Sequence, residues 1–164
     1  MHALLQQIAI AVNSGLYFLA LAGTLTIPDM CAGLERPNGL TNGPRYRAWF
    51  DKWVAPKYQG SMSGGDCYGL RCSLLHQGRA HPHQGLYQRV IFVEPGPIGV
   101  FHNNVLNNAL NLDIPTFCSD MIAGVHAWLP TVQGSPTFQA NSQNFFTRHP
   151  NGIAPYIVGA PVYG

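Results

Sequence analysis

The chain has 164 residues, 46% of them hydrophobic and 10% charged, enough for one compact domain with a core and too apolar for a disordered polymer. Its four cysteines contain no CxxC pair, which argues against a disulfide mini-scaffold or a zinc ribbon and fits free thiols in a reducing cytoplasm. The net charge of +2 hides an asymmetry: eight of the nine basic residues fall between Arg36 and Arg89, opposed there only by Asp51 and Asp66, so a polyanion would find one favourable side if the fold gathers them.

From the N-terminus, Ile8 to Ile27 carries no charge and is long enough to cross a bilayer. No Lys or Arg precedes it, and Asn13, Ser14, Gly15 and Gly23 interrupt it, so the expectation is a central buried helix over 3–25 and no membrane span. Thr26-Ile-Pro-Asp29 has the form of a capped helix start running to Glu35. Arg36 to Pro44 holds four turn formers of the Pro/Gly type among its nine residues and reads as a loop. Tyr46, Trp49, Phe50, Trp53 and Val54 then recur at helical spacing, ended by Pro56. The Gly60 to Gly65 link leads into a helix from near Asp66 to near Gly78.

Further on, Tyr87 to Val93 is β-branched and aromatic, Glu94-Pro-Gly-Pro97 turns, and Ile98 to Phe101 returns, which predicts a β-hairpin. Asp113-Ile-Pro115 opens a helix with Phe117, Met121, Val125 and Trp128 on one face, closed by Pro130. A last helix covers Phe138 to Thr147, and the proline-broken tail Ala154 to Pro161 is expected as an extended strap. The fold expected is mainly α: a single-domain helical bundle over 1–164, of about five helices with a small β-hairpin insertion.

Chemistry concentrates in Asp66-Cys-Tyr-Gly-Leu-Arg-Cys-Ser-Leu-Leu-His-Gln-Gly78. At 100° per residue Cys67, Leu70, Leu74 and Leu75 form an apolar stripe with Arg71 in its middle. A guanidinium there needs a carboxylate or carbonyl partner, an anionic ligand or a wet cleft; Asp66, Asp120 and a helix end are the protein candidates. His76 lies about 140° around and about 7.5 Å along a straight helix from Arg71. It either answers the helix dipole or joins Arg71 through helix distortion or a second copy of the helix.

LRCSLLHQG resembles the Arg-x4-6-His motif of the HEPN superfamily of helical nucleotide-binding and ribonuclease domains, found in toxin–antitoxin, CRISPR and abortive-infection systems. In catalytic members the residue after the arginine is usually Asn, Asp or His; here it is Cys72. The resemblance implies a metal-independent, cofactor-free endoribonuclease acting as a cytoplasmic homodimer, with RNA as substrate and an antitoxin or defence-system protein as partner. It implies His76 as general acid or base and Arg71 as the clamp on the scissile phosphate, giving a 2′,3′-cyclic phosphate and a 5′-hydroxyl. Ser73 and Cys72 would support that pair, and Arg79, His81 and His83 would contact RNA.

Two other chemistries fit the residues less well. Cys67, Cys72, His76, His81 and His83 crowd one segment, but no CxxC, HxxxH or HExxH spacing occurs, and Cys67 and Cys72 fall on different helix faces. There is no G-x-S-x-G and no P-loop. The alternative that stays open is a non-catalytic helical module binding RNA, a nucleotide or a protein, with Arg71 structural.

Overall fold

The computed structural model describes residues 1–79 and 87–164. The uncharged N-terminal stretch forms two helices, α1 (His2–Asn13) and α2 (Tyr17–Leu34), in place of the single helix expected over 3–25. Gly15 is the reason: it takes φ +71°, where a side chain would be strained, and the chain reverses there. The reversal lays α1 on α2, with Ile8 against Gly23.

Nor does a new helix begin at Thr26. α2 continues through Pro28, and the Thr26 hydroxyl donates back to the Gly23 carbonyl at 2.7 Å instead of capping an N-terminus. Burial explains this outcome, because Leu25, Ile27, Pro28 and Cys31 all lie in the core, and tertiary packing overrides proline's preference for a first turn. α2 is the central helix, touching α1 and the four helices described next. By length and hydropathy it is apolar enough to cross a membrane, and 56% of it is buried within the fold.

α3 (Gly43–Trp53) follows the predicted periodicity. The Asn42 side chain accepts from the Arg45 N–H, Pro44 sits in the first turn, and Tyr46, Trp49 and Phe50 are buried. A single 3-10 turn, Ala55–Tyr58, leads to α4 (Gly64–Gln77), which starts two residues before the expected Asp66. Ser63 and Asp66 form a reciprocal capping box at its start, and Gly78, at φ +61°, ends it.

A small sheet follows, with strand order β1-β3-β2: β1 (Arg89–Val93), β2 (Asn104–Leu106) and β3 (Ala109–Asp113). The hairpin expected between 87–93 and 98–101 is not the one formed. β1 pairs in parallel with β3, Val90 opposite Leu110, and the hairpin joins β2 to β3 through Asn107-Asn108. Both asparagines adopt positive φ, 49° and 61°, the geometry that a tight two-residue hairpin requires and that asparagine tolerates.

β3 runs directly into α5 (Ile114–Val132), where Asp113 accepts from the Thr116 N–H at 3.0 Å. Pro130 lies inside the last turn of α5 and does not close it as expected. α6 (Pro136–Gln143) begins two residues before Phe138 and stops four before Thr147. The tail is not a plain strap but two short antiparallel ladders, β4 (Arg148–His149) with β7 (Val162–Tyr163), and β5 (Gly152–Ile153) with β6 (Ile157–Val158). The fold is mainly α, with its core where α2, α3 and α5 meet around Tyr46, Phe50, Phe117 and Trp128.

Candidate active site at the Arg71–His76 pair

Tyr46 sets the frame. Its buried hydroxyl donates to the Leu25 carbonyl at 2.9 Å and meets the Cys67 sulfur at 3.2 Å, tying α3 to α2 and α4 in one place. Burial pushes the Cys67 thiol up to about 12, although the hydrogen bond from Tyr46 pulls the other way, so this cysteine stays protonated and structural. With α4 pinned by Cys67 and Leu70, Arg71 on the next position points along the α2–α4 seam.

There it meets a carboxylate the sequence reading did not nominate. Arg71 Nε donates to Asp29 Oδ2 at 2.8 Å, with side chains 23% and 16% exposed. The candidates named from sequence are occupied elsewhere: Asp66 accepts from Ser63 N at 2.9 Å, and Asp120 takes Lys57 Nζ at 2.7 Å. Burial raises the Asp29 carboxyl above its ordinary range, against the pull of the Arg71 charge. For Arg71, burial disfavours the charge, but the charge and hydrogen bond of Asp29, with a contribution from Cys72, outweigh it and hold the guanidinium protonated.

The second contact of Arg71 is with His76. Arg71 Nη1 lies 2.7 Å from His76 Nε2, within one chain and on one helix. A second copy of α4 is therefore not needed to bring the two together: the long arginine side chain reaches across the 140° that separates their Cα positions. Because a guanidinium has no acceptor, Arg71 must be the donor and Nε2 an unprotonated acceptor, which places the ring proton on Nδ1. Asp29, Arg71 and His76 thus form a chain in which a carboxylate orients a guanidinium and the guanidinium orients an imidazole.

The His76 side chain is exposed at the end of α4, whereas Arg71 is half-buried, so substrate would approach from the His76 side. Cys72 is half-buried, and its sulfur engages the Tyr68 hydroxyl. Ser73 is buried, one helical turn before His76. Arg79 is exposed just past the helix, where its N–H donates to the Ser73 carbonyl at 3.0 Å. His81 and His83 lie outside the described residues. Among the described residues no group of three or more His, Cys, Asp or Glu side chains is placed to hold a metal ion.

The basic middle third is gathered in part. Arg36, Arg45 and Lys52 line one cleft of ≈ 270 Å³ beside Trp53, whose ring carries the Lys52 ammonium 4.5 Å from its centre. Arg47 lies over Tyr68 at 5.1 Å, and Lys57 is held by Asp120. Asp29 was the residue most open to discovery from sequence. It is the first formal charge in the chain, and a carboxylate inside so apolar a segment demands a cationic partner. Comparison with protein-family models, with curated proteins and with solved structures finds no match.

Proposed function

We propose that this protein is a metal-independent endoribonuclease of the HEPN type centred on Arg71 and His76. The observation that carries the reading is the 2.7 Å contact between the Arg71 guanidinium and His76 Nε2, braced from behind by Asp29 at 2.8 Å. It joins a fixed cation, suited to a phosphodiester, to a neutral imidazole, suited to a proton transfer near neutral pH.

In this mechanism an RNA phosphate takes the guanidinium N–H away from the ring, and the freed Nε2 accepts the proton of the ribose 2′-hydroxyl. The 2′-oxygen bonds to phosphorus as the bond to the 5′-oxygen breaks. One fragment ends in a 2′,3′-cyclic phosphate, and the departing 5′-oxygen takes up a proton. In a homodimer that proton comes from the imidazolium of the partner's His76. Arg71 stabilises the charge that builds on the phosphate oxygens, and Asp29 holds it in place. A cytoplasmic setting with an antitoxin or defence-system partner belongs to the same proposal.

One observation favours a second reading, a non-catalytic RNA-, nucleotide- or protein-binding module of the same fold: in this state the nitrogen that would act as base is already engaged by Arg71. Incubating the purified protein with RNA in excess EDTA separates the two. Fragments ending in cyclic phosphate and beginning with a 5′-hydroxyl are expected, and RNA that stays intact would leave only the binding module.

A further inference from the structure

The carboxylate that orients Arg71 faces a second feature. Between α1, the C-terminal half of α2 and the tail lies a cavity of ≈ 620 Å³, and Asp29 is part of its wall. That volume falls within the roughly 300–1,000 Å³ of small-molecule sites and accommodates a nucleoside. Asp29 therefore belongs to both, binding Arg71 and lining the cavity.

The lining has the chemistry of a base pocket. Phe146 is 70% exposed and stacks on Tyr163, centroids 5.7 Å apart at 27°, so a flat apolar platform stands at the wall with no protein cover of its own. Two side-chain amides share that wall. Asn38 accepts the Leu40 N–H on its carbonyl oxygen and keeps its amide N–H donors; Asn144 gives one amide N–H to the Ala140 carbonyl and keeps its oxygen and a second N–H. Donors and an acceptor beside an aromatic platform match the mixed edge of a nucleobase. Asp29 and Arg148 both line the wall, so the cavity presents one charge of each sign, and a base or a ribose hydroxyl can donate to the Asp29 carboxylate.

We infer that this cavity takes one unstacked base of a single-stranded RNA whose backbone lies over Arg71 and His76. The inference rests on reading that pair as an RNA site. It makes single-stranded RNA the substrate class, because a base held in a duplex cannot enter.

Binding of a fluorescein-labelled mixed-sequence RNA dodecamer, alone and annealed to its complement, tests this by anisotropy in a His76→Ala background that keeps the RNA intact. The single strand is expected to bind at least tenfold tighter than the duplex. Adding Phe146→Ala should weaken single-strand binding about tenfold, while Tyr156→Ala, an exposed aromatic outside the cavity, should leave it unchanged. Should Phe146→Ala fail to fold, Asn38→Asp is read in its place: it keeps the acceptor for Leu40 N–H, sets a charge against the base, and should weaken binding as well. Equal affinity for single strand and duplex, or unaltered binding in the folded cavity variant, overturns the inference. Cleavage by wild-type protein combined with unaltered binding in the variant removes the pocket and leaves the nuclease. Phe146-dependent single-strand binding without cleavage removes the nuclease and leaves the pocket.

Discussion

His76 is the residue on which the proposed chemistry turns, and it is also the easiest to remove, since it is exposed at a helix end and contacts the fold through Arg71. His76→Ala is expected to lower the RNA cleavage rate by about 10²–10⁴-fold, the usual worth of a positioned acid or base, with the melting temperature little changed. Cleavage by a folded His76→Ala protein at the wild-type rate would end the enzyme reading. Asp29 is a positioning residue, and it carries a pH signature. Its carboxyl is raised by burial, so the folded chain holds that proton more tightly than the unfolded chain does. The associated stability is complete below the free value of about 3.9 and is lost as the pH rises through the folded value. Asparagine does not titrate, so the wild-type melting temperature minus that of Asp29→Asn is expected to be larger at pH 4 than at pH 7. The opposite sign would show that the pull of Arg71 outweighs burial. In sequence the pair itself was legible, because an arginine within an apolar helical stripe announces a partner. The identity of that partner was not, because Asp29 and Arg71 meet only through long-range packing of α2 on α4.

At the scale of elements, the apolar periodicity of α3 and the helix start at Asp113-Ile-Pro115 were legible, whereas the caps at Asn42 and Ser63 were passed over because they sit inside glycine-rich stretches that read as loop and link. The misses have two causes. Pro28 and Pro130 were taken as helix boundaries, but the surrounding side chains bury enough apolar surface to carry each helix past the proline. The strand pairing was misassigned because Asn-Asn, with both residues at positive φ, is a quieter turn signal than Pro-Gly-Pro. α4 offers a direct test of how closely its elements approach. A Cβ on Gly64 would meet the Arg47 carbonyl oxygen and lie 2.7 Å from the Arg47 Cα, against backbone that has little room to yield. The Gly64 N–H also donates to Asp51 at 2.6 Å, fixing the start of α4 against α3. Gly64→Ala is therefore expected to destabilise the fold by about 1–3 kcal/mol, the usual cost of overpacking, read as a lower urea midpoint with an unchanged slope.

For the molecule as a whole, the proposed mechanism draws its acid from a second chain. Specific activity per chain is expected to fall on dilution, in step with conversion of dimer to monomer followed by light scattering. Constant activity across that transition would assign the whole reaction to a single chain. The central helix that supports all of this breaks a local rule one residue before Asp29. Pro28 has no N–H to offer the Thr24 carbonyl, and a proline inside a helix costs on the order of 3 kcal/mol relative to alanine. Pro28 is also buried, so a replacement regains the hydrogen bond only by repacking the core beside Asp29. Stability and the placement of the proposed site thus meet at one stretch of backbone, where a gain in the first is drawn from the packing that surrounds the second.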